Sequence, residues 1–232
     1  KRDCQRLINQ DRNVFAASMI SAGDADAMVT GVTRPFARCF DDITKVINTK
    51  EKQTFLSMSM IVSKERTVFI GDVNIHDRPS AEQIADIASG IANTVNNLGY
   101  TPRVALLSFS NFGNPIRPSS KNIREAVNIL IEREVDFEFD GEMTAEVALN
   151  YDLIKENYPF CRLSDSANVL IMPGLLSANI SFKLLQSLGG GSVLGPLMIG
   201  GEKPFQIVQM GSSVSDIVNS ASVAAYNSIY SK

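Results

Sequence analysis

The chain has 232 residues, with 22 Lys and Arg against 25 Asp and Glu, so its formal net charge is −3. Hydrophobic residues make up 44% and charged residues 20% of the sequence, which excludes collagen-like, disordered and disulfide-stapled classes. No run of Lys or Arg offers the cationic patch that nucleic acid requires, so no nucleic-acid partner is predicted. No apolar stretch is long enough to span a bilayer, so no membrane partner is predicted either.

Three cysteines and one histidine restrict the available chemistry. Cys4, Cys39 and Cys161 are far apart and odd in number, so they fit neither a zinc spacing nor a disulfide framework and predict a reducing, cytoplasmic compartment. A multi-histidine metal site is impossible, and a Ser-His-Asp or Cys-His arrangement could be built only on His76. The pair His76-Asp77 could act as acid and base, or it could be a surface histidine after a strand.

The first half of the chain predicts alternating helices and short strands. Leu7, Val14, Phe15 and Met19 suit one face of an opening helix. Ser80 and Gln83 have the spacing of a capping box, and an apolar stripe at helical spacing follows. The predicted elements are an opening helix that ends at Gly23, a strand over 25–29, a helix over 36–47, an antiparallel hairpin of strands 55–62 and 67–71, and a helix from Ser80 to Gly99.

The second half continues the alternation. The predicted elements are strands over 103–109, 135–139, 169–172 and 206–210, and helices over 123–131, 177–188 and 213–229. Segment 192–199 is ambiguous. The last helix is predicted to turn one face inward, formed by Ile217, Ala221, Ala224, Ala225 and Ile229. Strand, loop and helix recur too often for a sandwich or a bundle, so the fold class is α/β with a mostly parallel sheet and helices on both faces.

Ligands of open α/β sheets bind beyond the carboxyl ends of the strands, here the loops 108–113, 140–142, 173–179 and 209–216. A phosphate could dock where such a loop enters a helix, although small polar residues after a strand are also ordinary turn chemistry. The glycine-rich segment 189–195 matches no phosphate-binding fingerprint and predicts helix termination. Asp24 and Asp26 could hold Mg²⁺ or form a capped turn.

Six motifs in order resemble those of phosphate acetyltransferases and span nearly the whole chain. They are Gly23-Asp24-Ala25-Asp26-Ala27-Met28-Val29-Thr30-Gly31, Asp140-Gly141-Glu142, Ala167-Asn168-Val169-Leu170-Ile171-Met172-Pro173, Leu188-Gly189-Gly190, Gly195-Pro196-Leu197 and Lys203-Pro204. The resemblance implies a three-layer αβα fold, also found in isocitrate dehydrogenases, with two subdomains and a cleft. It implies one phosphotransacetylase-like domain over 1–232, shortened at its N-terminus, in which a subdomain of about 50–200 is inserted between flanking segments.

Other tracts resemble the phosphotransacetylase-like C-terminal domain of large bacterial NADP-dependent malic enzymes. They include Gln10-Asp11-Arg12-Asn13, Val135 to Met143, Tyr158 to Leu163 and Gln206-Ile207-Val208. That resemblance implies a regulatory and oligomerisation domain that senses acetyl-CoA or a related acyl-CoA and forms a homodimer or higher homo-oligomer. It implies no cofactor in this fragment. A catalytic domain elsewhere in the same chain, with NADP and Mg or Mn, would decarboxylate malate oxidatively to pyruvate.

The sequence departs from the phosphate acetyltransferases where their chemistry is concentrated. Matched from Lys203-Pro204, the family's Ser-Arg pair falls on Gln209 and Met210. The family's Cys after the hairpin falls on Val73, and its Lys in the Ser-Thr-Lys-Gly loop falls on Phe112. Methionine cannot donate to a phosphate oxygen, and removing such a donor costs about 2.7–4 kcal/mol of barrier. Acetyl transfer is therefore not expected, and no catalytic residue is assigned.

The resemblance leads to a candidate acetyl-CoA site. Its residues are Ser108, Ser110, Asn111, Gly113, Asn179, Lys183 and Asp216. Lys183 lies one turn after Asn179, so both could face one ligand, or both could lie on a solvated helix face. The alternative functions are an active phosphate acetyltransferase, which would transfer acetyl between acetyl phosphate and CoA, and an assembly module without a ligand.

Overall fold

The computed structural model describes residues 2–51, 53–189 and 191–230. In chain order its elements are α1 (Arg2–Gln10), α2 (Arg12–Ala22), β1 (Met28–Gly31), α3 (Phe36–Ile43), β2 (Leu56–Ser63), β3 (Thr67–Gly71), α4 (Ala81–Asn97), β4 (Arg103–Leu107), α5 (Lys121–Glu132), β5 (Glu138–Met143), α6 (Ala145–Ala148), α7 (Tyr151–Asn157), β6 (Val169–Ile171), α8 (Leu175–Leu188), β7 (Gly191–Ile199), β8 (Phe205–Val208) and α9 (Val214–Tyr230). A short 3₁₀ turn, Pro118–Ser120, precedes α5.

The chain divides into two compact units. Unit 1 comprises Lys1–Phe55 and Leu194–Lys232, and unit 2 comprises Leu56–Val193. Each unit has its own sheet, and the chain passes from unit 1 to unit 2 and back. The two units are described separately below.

Unit 1 is built on a two-stranded parallel sheet of β1 and β8, in which Met28 lies opposite Phe205 and Gly31 opposite Val208. Gln206 in β8 is fully buried, yet both polar atoms of its amide are satisfied. Its Oε1 accepts from Met198 N at 2.8 Å and its Nε2 donates to Met198 O at 3.1 Å. The amide thus satisfies both backbone groups of one β7 residue in the interior.

The predicted opening helix is two helices, because Asp11 interrupts it. The Asp11 carboxylate accepts hydrogen bonds from Asn13 N at 2.8 Å and Val14 N at 3.2 Å, which satisfies the first free N–H groups of α2. The four residues expected to share one face are not buried together. Val14 is buried, but Phe15 is 52% exposed. Gly23 ends α2 in the left-handed conformation at φ +87°, as predicted.

The predicted inward face of α9 is largely wrong. Among its five residues, only Ala224 is buried, while Ile217 is 36% and Ile229 is 64% exposed. The helix packs on β1 and β8. A two-stranded sheet is narrow and covers only one line of a helix, so the rest of the apolar face stays exposed.

The sheet of unit 2 has the strand order β5-β4-β6-β3-β2-β7, and its last strand, β7, begins in unit 2 and continues into the second segment of unit 1. The pairs β5/β4, β4/β6 and β6/β3 are parallel, and β3/β2 is the predicted antiparallel hairpin. The fold class is therefore confirmed as α/β with a mostly parallel sheet. The capping box of α4 is also confirmed, because Ser80 Oγ accepts from Gln83 N at 3.2 Å and Gln83 Oε1 accepts from Ser80 N at 2.9 Å.

Helices cover both faces of this sheet, which gives three layers. On one face, α6 and α7 pack on Ala105, Leu107 and Leu170, and α8 packs on Ile70 through Ala178 and Phe182. Because side chains alternate along a strand, the neighbouring strand residues point to the other face. There α4 packs on β2, β3, β4 and β6, and α5 packs on β4 and β5.

Several predicted boundaries differ from the structure. The predicted strand 135–139 is β5 (Glu138–Met143), so the Asp140-Gly141 pair lies inside the strand rather than after it. Only glycine fits there, because a Cβ on Gly141 would meet Leu106 O at 2.6 Å. The helix predicted over 36–47 ends at Ile43, the ambiguous segment 192–199 belongs to β7, and α6 and α7 were not predicted.

Candidate functional site

Glu142 organises the carboxyl edge of the unit 2 sheet. It lies in β5, is fully buried, and its Oε1 accepts from Ser110 Oγ at 2.8 Å and from Gly113 N at 3.0 Å. Arg124 of α5 lies beside it, with Nη1 3.4 Å from the same oxygen. The loop after β4 is therefore wrapped around one carboxylate of the neighbouring strand.

The rest of this loop is also held by hydrogen bonds. Ser108 N donates to Met143 O at 2.8 Å, Phe112 N donates to Glu142 O at 2.7 Å, and Asn111 Oδ1 accepts from Thr144 N at 2.7 Å. The structure thus brings four predicted residues, Ser108, Ser110, Asn111 and Gly113, into one loop. The polar groups of these residues hold the loop in place by hydrogen bonds within it and to β5 and the residue after it. They therefore shape the edge of the site.

A cleft of about 590 Å³ opens beside Glu142. Its volume lies in the range of small-molecule sites, roughly 300–1,000 Å³. The lining residues are Phe112, Gly113, Lys121, Arg124, Glu125, Val127, Asn128, Asp140, Gly141, Glu142, Phe160 and Arg162. The cleft therefore combines three cations and two aromatic rings with three carboxylates.

The charged groups of the cleft are fixed by neighbours. Arg124 Nη1 donates to Ser120 Oγ at 2.7 Å, and Arg162 N donates to the buried Asp140 at Oδ2, 2.8 Å away. The guanidinium of Arg162 lies 5.2 Å from the centroid of the Phe139 ring. Glu142 Oε2 is buried and has no hydrogen-bond partner within the described part of the chain. One carboxylate oxygen of this site is thus left to accept a further donor.

The nearby thiol of Cys161 is not a nucleophile at neutral pH. Burial raises its pKa to about 11, against a partial opposing effect of the Leu163 backbone hydrogen bond. A thiol with so high a pKa is protonated under physiological conditions, and the thiolate is the reactive form.

The two predicted residues of α8 contact different partners. Asn179 Nδ2 donates to Val73 O at 3.3 Å, which links α8 to the loop after β3. Lys183 Nζ donates to Gln186 Oε1 at 3.2 Å and lies 5.3 Å from the Phe182 ring centroid. The contacts described here give Asn179 and Lys183 no common partner.

Asp216 lies in unit 1, where it caps α9. Its Oδ2 accepts from Ser213 N and from Ser213 Oγ, both at 2.8 Å, and Asp216 N donates back to Ser213 Oγ at 3.2 Å. This reciprocal pair satisfies free N–H groups at the start of the helix. In the same segment Met210 is 60% exposed.

Val73 and Phe112, which the resemblance matches to the family's Cys and Lys, are packed as apolar residues. Val73 is fully buried against Ile70, Ala178 and Phe182. The Phe112 ring lies 5.0 Å from the Phe160 centroid in an edge-on arrangement. Neither position offers a nucleophile or a cation.

His76 pairs with Asp72 and not with Asp77. The ring Nδ1 lies 2.6 Å from Asp72 Oδ2, and Asp72 is 4% exposed. The other Asp72 oxygen accepts from Ser57 N at 2.8 Å and from the Ser57 hydroxyl. His76 lies four residues after Asp72 in the sequence. The pairing was not predicted because these residues are not in a helix, so their spacing alone does not bring them together.

Sequence reasoning did not assign three residues of the cleft, Glu142, Arg124 and Arg162, and it did not assign Asp72 as the partner of His76. Glu142 was recognisable within the Asp-Gly-Glu motif, whereas Arg124 reaches it from a separate helix. Within the described residues, no group of three or more His, Cys, Asp or Glu side chains could hold a metal ion. None of the helices in that part of the chain is both long and apolar enough to cross a membrane.

The fold and the cleft define an α/β domain with a ligand-sized site at the carboxyl edge of its sheet. Residues 1–225 match the family described as Phosphate acetyl/butaryl transferase. The chain is 37% identical over 226 residues to the Phosphate acetyltransferase of Treponema pallidum (strain Nichols), covering 92% of this chain and 67% of that protein. The phosphotransacetylase structure from Streptococcus pyogenes superposes with a TM-score of 0.87 at 29% identity and covers 94% of this chain and 67% of that one.

The chain belongs to the phosphate acetyl/butaryl transferase family. It is 52% identical over 226 residues to the NADP-dependent malic enzyme of Rhizobium meliloti (strain 1021), a match that covers 97% of this chain and 30% of that protein. The chain thus spans less than a third of the length of that malic enzyme. The resemblance to the phosphotransacetylase-like part of malic enzymes is confirmed.

Proposed function

We propose that this chain is a non-catalytic regulatory and oligomerisation domain of an NADP-dependent malic enzyme, and that it senses acetyl-CoA or a related acyl-CoA. In the whole protein, a separate catalytic domain with NADP and Mg or Mn converts malate to pyruvate in the cytoplasm. The 52% identity to a malic enzyme supports this assignment over a free-standing enzyme.

The observation that carries the proposal concerns four positions that the resemblance matches to the chemical groups of the transferase. Other residue types stand at all four in this chain. The four positions hold Val73, Phe112, Gln209 and Met210. Val73 is fully buried and Phe112 packs on aromatic rings, so neither can stabilise a transferring phosphoryl group. A missing oxyanion donor alone costs about 2.7–4 kcal/mol, and here two cationic positions are apolar.

The remaining cleft supports a sensing role. Its volume of about 590 Å³ suits a small ligand, its exposed Phe160 ring suits apolar groups, and its three cations, each of which lies within 4.0 Å of a carboxylate of the lining, keep further N–H groups for phosphate oxygens. Arginine binds phosphate through paired N–H groups, and an aromatic ring offers a stacking surface. We place the acyl-CoA site in this cleft, with Lys121 and Arg124 at its helix side.

The test of sensing is a binding measurement on the 232-residue chain. Calorimetric titration with acetyl-CoA is expected to give saturable binding, and the Arg124→Gln variant is expected to bind about tenfold more weakly, because it loses a charged hydrogen-bond donor. A Lys155→Gln variant, outside the cleft lining, is the control. No binding by the unmodified chain would refute sensing and leave an assembly module.

The alternative is an active phosphate acetyltransferase, and the similarity to the Treponema pallidum protein favours it. It predicts CoA-dependent release of phosphate from acetyl phosphate. We expect no turnover above background. A double variant that restores the family pair, Gln209→Ser with Met210→Arg, is the matched comparison. Turnover by the unmodified chain would reject the non-catalytic assignment.

We also propose that the chain forms a homodimer or higher homo-oligomer through α8. Four apolar residues spaced by four share one side of this helix, namely Leu176, Ile180, Leu184 and Leu188. Their exposed fractions are 72%, 51%, 55% and 80%. Large exposed apolar patches mark interaction surfaces, and a second copy would bury this one.

A further inference from the structure

A second cleft opens in unit 2 at the amino ends of its parallel strands, and the proposed function uses none of its residues. The strands β3, β6 and β4 lie side by side and begin at Thr67, Val169 and Arg103. The cleft beside these strand starts has a volume of about 910 Å³, within the range of small-molecule sites. Ligands of α/β sheets usually bind at the carboxyl ends of the strands, so this cleft is a separate place in the fold.

Asn168 holds the strand starts beside this cleft together. Its Oδ1 accepts from Arg103 N at 2.8 Å, and its Nδ2 donates to Thr101 O at 2.9 Å. Its backbone O accepts from Phe69 N at 2.8 Å. One residue thus ties the start of β6 to both neighbouring strands. The shape of the cleft is set by these contacts, so a ligand would bind without the cost of ordering them.

Both guanidinium groups that line the cleft already serve the backbone. Arg66 Nη1 donates to Leu149 O at 2.9 Å, and Arg103 Nε donates to Ser166 O at 2.9 Å. Arg103 Nη2 also lies 3.7 Å from Asp165 Oδ2. These contacts hold the two cations of the lining in fixed positions.

The lining carries more negative than positive charge. Its two guanidinium groups stand against four carboxylates, those of Glu65, Glu146, Asp152 and Asp165. Within the described part of the chain, Asp165 is the only one of these acids with an ion pair, and that pair is long. Three carboxylates are thus left without a counterion in a concave site, which concentrates their field. Such a site attracts cations and repels phosphate groups.

Two tyrosine rings line the same cleft, and one of them already holds a cation of this chain. Lys155 Nζ lies 4.2 Å from the centroid of the Tyr151 ring, although Lys155 itself does not line the cleft. Tyr100 packs edge-on against Phe69 at a centroid distance of 5.3 Å and is 40% exposed. The face of an aromatic ring attracts an ammonium group through its quadrupole, without any carboxylate. The rings and the carboxylates therefore favour the same class of ligand for separate physical reasons.

We propose that this cleft binds an extended aliphatic polycation, whose ammonium groups pair with Glu65, Glu146 and Asp152 and pack on the tyrosine rings. Three neighbouring strand starts span roughly 10 Å, because strands in a sheet lie about 4.8 Å apart. A chain with several ammonium groups fills that length, whereas a single ammonium group does not. The ammonium groups could belong to a free polyamine or to the lysine side chains of a peptide. The site goes beyond the proposed function and does not depend on it.

The test is a calorimetric titration of the 232-residue chain with spermine at constant ionic strength. The double variant Glu65→Gln with Glu146→Gln is expected to bind about tenfold more weakly, because it removes two carboxylates that lack a counterion. The double variant Glu132→Gln with Glu202→Gln is the matched control. It makes the same change in net charge at two exposed residues outside the lining.

A pair of variants at Tyr151 tests the ring separately from the acids. Tyr151→Leu is expected to weaken spermine binding about threefold, because it removes the aromatic face. Tyr151→Phe keeps that face and is expected to bind spermine as the unmodified chain does. Thermal unfolding of each variant verifies that the fold is kept.

A second titration identifies the source of the ammonium groups. Spermine and tetralysine blocked at both ends carry the same charge at neutral pH. Tighter binding of tetralysine, weakened in the Glu65 and Glu146 double variant, would assign the site to a peptide, and tighter binding of spermine would assign it to a free polyamine.

The inference is overturned if spermine gives no saturable heat, or if the site and control double variants bind spermine equally tightly. Acetyl-CoA binding is expected to be the same in the site double variant as in the unmodified chain. A failure of acetyl-CoA binding would therefore count against the proposed function only, and a failure of spermine binding against this inference only.

Discussion

Glu142 is expected to be the most sensitive polar position of unit 2, because one of its oxygens satisfies donors from two other segments. Glu142→Ala leaves Ser110 Oγ and Gly113 N buried without this acceptor and removes the charge opposite Arg124. Each buried polar group that loses its partner costs about 1–3 kcal/mol. The two hydrogen bonds therefore predict a loss of roughly 2–6 kcal/mol in the free energy of unfolding.

Urea unfolding measures this loss, and two variants calibrate it. Glu142→Gln keeps one acceptor oxygen in place and is expected to lose about half as much as the alanine variant. Glu125→Gln alters a carboxylate that also lines the cleft, but its side chain is 47% exposed, so the change should stay within about 0.5 kcal/mol. The reasoning is refuted if Glu142→Ala and Glu125→Gln unfold at the same urea concentration.

Three further predictions follow from exposure and ionisation. Leu184→Glu is expected to lower the molar mass measured by light scattering to that of a monomer, because it charges the centre of the exposed α8 stripe. Asp11 is expected to stabilise the fold above pH 4 and less so in acid. Burial raises its pKa, but the Arg34 hydrogen bond and the two capping N–H groups outweigh burial and hold the pKa below the usual 3.8. Cys161, with a pKa of about 11, is expected to alkylate much more slowly than the exposed Cys4 at pH 8, as read by mass spectrometry.

Each of these predictions has a contradicting outcome. If the Leu184→Glu variant is still an oligomer, the interface does not involve α8. For Asp11, a depressed pKa in the folded state means that its contribution is complete above the unfolded pKa and is lost as pH falls through the folded one. The free energy of unfolding of an Asp11→Asn variant should therefore be lower than that of the unmodified chain at pH 6, and the two values should converge as pH falls below about 4. Equal alkylation rates for the two cysteines would show that the Cys161 thiol is accessible.

Local signals identified the elements whose ends are set by neighbouring residues. The capping box at Ser80 and the left-handed Gly23 were found because each depends on side chains within one turn. The interruption at Asp11 was missed because a polar residue inside an apolar pattern also fits an exposed helix position. The shift of β5 was missed because the fit of Gly141 against Leu106 depends on a strand whose paired residue lies 35 positions earlier in the chain.

The candidate site was predictable only in outline. The rule that ligands bind beyond the carboxyl ends of strands selected the loop 108–113 correctly as part of an edge. It did not show that Glu142 would take up the polar groups of Ser110 and Gly113. For His76 the sequence offered two alternatives, a pair with the adjacent Asp77 or a surface histidine, whereas in the structure the ring Nδ1 pairs with Asp72 Oδ2.

The sequence by itself determined the α/β class and the family, because hydrophobic periodicity and motifs are properties of the chain order. Only the tertiary structure decided which charged side chains form ion pairs. Arg34 bridges Asp11 and Asp42, and Arg124 faces Glu142, across separations that periodicity does not encode. Coulomb and hydrogen-bond energies depend on distances of a few ångströms, and only folding sets those distances.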